Sequence, residues 1–249
     1  MSVFLPRTIE KLVDNLKYFS SPKSPTAKTE YIQKFFTKHR DRIFQCLTDE
    51  NLKTALSQKF TVFEAVDGVG KTTQINLYKS KGFNTANTPP DGFFETEKER
   101  EAMLNTKDYH LISSIYLGAC LCACVKKPKI DVMDRFWPST YAYQTAQYKE
   151  QTGTDITEIP TFDYLPNPKR IIYLKMAESL RLKRISDRNK TETLEEKKMR
   201  KNLAFTENIK NNYMRFKQQK DIEFIEIEID FEKTPDMIFI ETLKHVLKD

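Results

Sequence analysis

Residues 60–74 read Phe60-Thr-Val-Phe-Glu-Ala-Val-Asp-Gly-Val-Gly-Lys-Thr-Thr-Gln74, an apolar run that empties into a lysine between glycine and threonine. These residue types, in this order, suit a polyphosphate. Gly68 and Gly70 let the backbone turn its N–H groups inward, Lys71 reaches terminal phosphates, and Thr72 offers a hydroxyl to magnesium. The usual loop is G-x-x-x-x-G-K-[ST], and Ala65 holds the first glycine position. An alanine is tolerated there where its φ is negative.

Two acidic residues bracket the loop. Glu64 ends the apolar run and Asp67 lies inside the loop; each can cap a neighbouring N–H, or Asp67 can face the sugar or phosphate of an acceptor nucleotide. A second constellation is Asp134-Arg135, where the arginine suits bidentate contact with an acceptor phosphate and the aspartate can orient it or hold magnesium through water. An internal ion pair is the plainer reading. Arg181, Arg184 and Arg188 gather near a polar segment, either as a solvated helix face or as charge brought to a transferring phosphoryl group when a lid closes. Tyr116, Phe136, Trp137 and Tyr143 are aromatic candidates to stack on a base or to fill the core.

Strands alternating with helices from residue 60 onward would position these groups. Expected strands are 60–64, 83–88, 130–134, 170–176 and 222–229, the last at an edge. Expected helices are 72–81, 108–125, 139–152, 178–188, a long one over 194–216, and 235–247, with Gly82 stopping the first. This order predicts an α/β fold, a parallel sheet with helices on both faces, with ligands at the carboxyl ends of the strands. Ahead of it, residues 1–59 form a helical extension with helices near 8–17, 29–44 and 51–57. The lid spans about 184–200.

The 249 residues carry 41 Lys+Arg against 35 Asp+Glu, a net charge of +6, without a long basic block interleaved with aromatics. Nucleic acid is not an expected partner, and a nucleic-acid-binding P-loop protein is the weakest reading. No membrane partner is expected, since no stretch approaches the roughly 20 apolar residues of a membrane span. Cys46, Cys120, Cys122 and Cys124 lack zinc spacing and suit a reducing, intracellular compartment. His39, His110 and His245 form no metal constellation.

The loop Glu64-Ala-Val-Asp-Gly-Val-Gly-Lys-Thr-Thr73 and the motif Asp134-Arg135-Phe136 resemble the thymidylate kinase superfamily of nucleoside monophosphate kinases over residues 60–249. Asp134-Arg-Phe-Trp-Pro-Ser-Thr140, Pro89-Pro90 and the run from Arg181 to Arg188 resemble most its mitochondrial UMP/CMP kinase branch. The resemblance implies a P-loop kinase sandwich and transfer of the ATP γ-phosphoryl group to a pyrimidine nucleotide, CMP/UMP or dCMP/dUMP, with thymidylate (dTMP) as the alternative. It implies that Asp67, Gly68, Val69, Gly70, Lys71, Thr72 and Thr73 hold ATP and that Thr72 and Asp134 hold Mg2+. Glu64, Asp134, Arg135, Tyr116 and Tyr143 would receive the acceptor. Lys71, Asp67, Arg135, Arg184 and Arg188 would act in catalysis. Ala119-Cys120 stand where thymidylate kinases place a base-contacting arginine, which argues against dTMP. The compartment implied is mitochondrial, with the cytoplasm as alternative, and the resemblance leaves room for a homodimer. A reading of another class is a nucleotide-gated interaction protein whose catalysis Ala65 has weakened.

Overall fold

The structure, a computed structural model, describes residues 5–21, 24, 26, 30–127, 129–187 and 192–248. Two compact units divide the chain, one comprising Met1–Gln58, Asn87–Pro128 and Glu158–Pro166, the other Lys59–Ala86, Lys129–Thr157 and Asn167–Asp249. Residues 1–58 share their unit with residues 87–128 and 158–166, which the sequence assigns to the kinase domain.

In the first unit, three amphipathic helices surround one apolar helix. They are α1 (Ile9–Phe19), α2 (Glu30–Phe44) and α3 (Asp49–Ser57), all three packed on α6 (Tyr109–Lys126). Thr8 and Thr48 cap α1 and α3 by accepting from Lys11 N and Asn51 N, which satisfies orphan donors of the first turn. Contrary to the expectation that no stretch approaches a membrane span, α6 is by length and composition alone apolar enough for a minimal one among the described helices, with a mean hydropathy of 1.3, yet 72% of it is buried inside the protein. Its period is hidden because all its faces are covered. α2 approaches α6 so closely that a Cβ on Gly118 would lie 2.3 Å from Ile43 Cδ1. The unit also contains α5 (Glu97–Asn105), capped by Thr96.

The second unit is built on the sheet. Its strands are β1 (Thr61–Glu64), β2 (Thr85–Asn87), β3 (Val132–Asp134), β4 (Arg170–Met176) and β5 (Glu223–Ile229), in the order β2-β3-β1-β4-β5. The chain is an α/β protein with a parallel sheet flanked by helices. Val62 pairs with both Met133 and Ile171 in the parallel register, so β1 is central and buried at every position. A strand covered on both faces reads as a continuous apolar run, as this one does. β5 pairs with β4 and ends the sheet, as its partial alternation predicted. The helices of this unit are α4 (Lys71–Ser80), α7 (Trp137–Thr152), α8 (Glu178–Asp187), α9 (Leu194–Lys201), α10 (Leu203–Met214) and α11 (Pro235–Val246), with α4 against α11 and α7 against α10.

One expected element is corrected. The long helix over 194–216 is instead α9, α10 and a 3-10 turn at Arg215–Gln218. Asn202 leaves the helical region at φ −129 and ψ 88, and its side chain accepts from Phe205 N to start α10 afresh. Asparagine competes with the helix in this way through its own side chain.

Candidate active site

β1 delivers the phosphate loop. After Glu64 the chain passes Gly68 at φ +90 and Gly70 at φ +107 before α4 begins, a turn that residues with a Cβ rarely make. Gly70 caps α4 with no side-chain bond, and Gln74 N is bonded to Gly70 O at 3.3 Å. The preceding N–H groups of Lys71, Thr72 and Thr73 have no partner within the helix and point from its positive end, which suits an anion. Ala65 is buried, and among described non-glycine residues only Lys107 and Arg135 have positive φ. The alanine therefore fits the loop without strain. Lys71 Nζ lies beneath it, donating to Ala65 O at 3.1 Å and Val66 O at 3.3 Å. Burial first, then the charge of Arg135, lowers the Lys71 pKa from 10.5 to about 8.

The expected arginine cluster separates into parts. Arg181 is fully buried; its Nη1 donates to Asp67 O at 2.8 Å, and Glu178 accepts from its Nε at 3.0 Å and also from its Nη2. It braces the loop from behind. A Cβ on Gly68 would come within 2.7 Å of Ile185 Cγ1, so α8 presses on the loop from that side. Arg184, one turn on from Arg181, is half-buried, with Nη1 3.4 Å from Val69 O. Arg188 and the neighbouring residues 189–191 of the expected lid lie outside the described residues.

β3 runs beside β1 and ends in the second motif. Arg135 sits at φ +61, a left-handed conformation that costs an arginine roughly 1 kcal/mol or more. Its N–H donates to Phe63 O at 3.1 Å, and its guanidinium turns to the loop, where Nη2 is paired with Asp67. Nη1 donates to Ser139 Oγ at 2.9 Å, and Tyr143 stacks under the guanidinium with its centroid 5.3 Å from Cζ. Burial opposes the charge, but Asp67 leads the groups that hold the Arg135 pKa above its ordinary value. Asp67, Arg135 and Tyr143 thus meet at the loop.

Glu64 is corrected. Expected to contact an acceptor, it is fully buried and accepts from Phe136 N at 2.9 Å, Tyr213 Oη at 3.0 Å and Ser139 Oγ. Burial pushes its pKa up, against the charge of Arg135 and these hydrogen bonds. A carboxyl so enclosed holds the Arg135 turn in place rather than reaching a ligand. Phe136 and Trp137, aromatic candidates for stacking, are core residues: Phe136 meets Phe60 edge-on at 5.0 Å and Trp137 lies 5.5 Å from Phe216. Tyr116 belongs to the first unit, where its hydroxyl accepts from Arg100 Nε at 3.1 Å.

Thr72 Oγ1 donates to Asp134 Oδ2 at 3.3 Å, while Asp134 Oδ1 is buried without a hydrogen-bond partner. Two hard oxygen ligands and an unfilled acceptor suit a divalent cation such as magnesium. No group of three or more His, Cys, Asp or Glu suited to a metal occurs among the described residues. Ser139 and Tyr213 were not foreseen as parts of the site, and Arg181, expected as lid charge, supports the loop carbonyl of Asp67 instead. Ser139 follows the Asp-Arg motif closely enough to have been a signal; Tyr213 had none.

A central strand feeding a glycine-turned loop and an uncapped helix, with an arginine and aspartates at the same sheet edge, defines a P-loop phosphotransferase. The profile of the thymidylate kinase family matches residues 63–238. The thymidylate kinase of Thermosipho africanus (strain TCF52B) is 30% identical over 199 residues, covering 73% of this chain and 94% of its own. That of Geobacillus sp. (strain WCH70) is 28% identical over 209 residues, covering 76% and 96%. A solved deoxyadenosine kinase from M. mycoides with bound dATP is similar at a TM-score of 0.49 and 18% identity, over 77% of this chain and 100% of that one. The chain belongs to the thymidylate kinase family and is an ATP-dependent nucleoside monophosphate kinase.

Proposed function

We propose that the chain transfers the γ-phosphoryl group of ATP to dTMP. The pairing of Arg135 with Asp67 beside Lys71 carries the phosphoryl-transfer part of this reading, because it puts a fixed guanidinium at the edge of the phosphate cradle. The likeness of the whole kinase region to relatives named thymidylate kinase supports the acceptor.

In this reading Lys71 and the N–H groups of residues 68–73 hold the donor phosphates, and Arg135 takes the acceptor phosphate. Asp67 and Tyr143 fix the direction of the guanidinium, and buried Glu64 fixes the turn that carries it. Arg184 adds charge beside Val69. Little covalent work is asked of the protein, so positioning and charge neutralisation supply the rate. Thr72 and Asp134 would hold magnesium, which when bound neutralises charge on the phosphates.

A second reading, CMP/UMP or their deoxy forms as acceptor, is favoured by one observation. Ala119 and Cys120, near where the resemblance expects a base-contacting arginine, are fully buried and carry no guanidinium. A coupled assay with ATP and dTMP, dUMP, UMP, dCMP or CMP separates the two. The thymidylate reading expects the highest kcat/KM with dTMP, and a preference for CMP or UMP overturns it. Turnover of none, with ATP still bound, leaves the nucleotide-gated interaction protein.

A further inference from the structure

Helix α2 leans on α6 at a glycine. Gly118 has no Cβ to hold Ile43 away, and one placed there would lie 2.3 Å from Ile43 Cδ1. About one turn further along each chain segment, this close approach brings two thiols together. Cys46, just past the end of α2, donates to Cys122 of α6 with the sulfurs 3.1 Å apart. Arg42 O, in the last turn of α2, accepts from both, at 3.5 Å from Cys46 Sγ and 3.8 Å from Cys122 Sγ. Both cysteines are free, and their sulfurs stand only about 1 Å beyond the roughly 2.05 Å of a disulfide bond. Cys120 and Cys124 are two positions to either side of Cys122, hence about 200° round the helix from it.

The two thiols of the pair differ. Cys46 is 8% exposed and Cys122 2%, whereas Cys120 and Cys124 are 0% exposed, so a reagent from solvent meets Cys46 first. The hydrogen bond with Cys122, and then the charge of Lys126, draws the Cys46 pKa down against the effect of burial. The same hydrogen bond, together with burial, pushes the Cys122 thiol up. One sulfur is disposed to attack as a thiolate, and the other waits beside it with its proton. This is the arrangement of an attacking and a resolving cysteine.

We propose that Cys46 and Cys122 are an oxidation site, where a hydroperoxide closes the pair to an intramolecular disulfide that fastens the end of α2 to α6. The Cys46 thiolate attacks a peroxide oxygen, the O–O bond breaks, and the departing hydroxide takes a proton from solvent. Cys46 is left as a sulfenic acid. Cys122 Sγ then attacks Cys46 Sγ, the S–O bond breaks, and the second hydroxide leaves as water with the Cys122 proton. The two thiols lose two electrons and two protons, and hydrogen peroxide gains them as two waters. The proposal lies within the first unit and is independent of the kinase reading.

The folded full chain is treated with hydrogen peroxide, its remaining thiols are blocked, and it is digested without reductant for mass spectrometry. The expected result is one peptide pair linked through Cys46 and Cys122, two hydrogens lighter than its parts and separated by dithiothreitol, with titratable thiols falling from four to two per chain. The oxidised chain melts about 5 °C or more above the reduced one, because the linked residues are 76 positions apart. With dimedone present, Cys122→Ser traps a sulfenic acid on Cys46, while Cys46→Ser traps none on Cys122. Absence of the linked peptide, a link through Cys120 or Cys124, a link between two chains, or an unchanged Tm overturns the proposal. So does a dimedone adduct on Cys122 in place of Cys46. Should either variant fail to fold, the peptide map and melting of the parent decide the matter alone.

Discussion

Replacing Ala65 by glycine restores the usual phosphate-loop pattern, and the structure predicts that this restoration is harmful. Ala65 is fully buried, has negative φ, and offers its carbonyl to Lys71 Nζ. Ala65→Gly removes a buried methyl, worth about 0.8 kcal/mol. It also frees the unfolded chain at a position where alanine is unstrained, a further cost of about 0.4–1 kcal/mol. The sum is about 1.5 kcal/mol, which in a chain of this size lowers Tm by about 3–6 °C. The loop's N–H groups depend on Gly68 and Gly70, not on residue 65, so kcat/KM for ATP changes by less than about twofold. Thermal melting without nucleotide and initial rates on both proteins check this. A glycine variant that keeps its Tm and gains about fivefold or more in kcat/KM would refute the reasoning, because the methyl would then be straining the cradle.

The pH dependence of ATP binding follows from Lys71, whose pKa is about 8. Phosphates favour its ammonium form, so affinity falls as pH rises above about 8, by up to about tenfold per pH unit. A titration of ATP binding shows this slope in the parent and not in Lys71→Met. Stability without ATP moves the other way: between about 8 and 10.5 the unfolded chain binds more protons than the folded one, so stability rises with pH across that window. Arg135→Ala and Arg135→Gly both remove the guanidinium and lower kcat/KM for the acceptor by about 10- to 100-fold. Because residue 135 sits at φ +61, the glycine variant is the more stable of the two by about 1 kcal/mol, measured by denaturant unfolding.

What could be read in advance divides along physical lines. β4 was legible because a strand covered on both faces is largely apolar, and residues 171–174 form such a run between Arg170 and the exposed Lys175. The loop was legible because Gly68, Gly70 and Lys71 serve a local demand of the backbone and of phosphate. α5 passed unnoticed: Glu97–Asn105 is mostly charged, buries only Met103, and is held by a Thr96 cap and by Lys38 of α2 rather than by an apolar stripe. The parts of the site that depend on long-range meeting were illegible for a related reason. Glu64 looks like a reactive carboxylate in sequence because nothing nearby says that Ser139 and Tyr213, 75 and 149 residues away, will enclose it. Arg181 looks like lid charge until the loop carbonyl it supports, 114 residues earlier, is in view. Residue type therefore tells which groups can do chemistry, while burial and partners decide which of them face a substrate and which hold the others. Arg135 is the case where both agree: its strained φ, its pairing with Asp67 and its place at the end of β3 all direct one guanidinium toward the phosphate cradle.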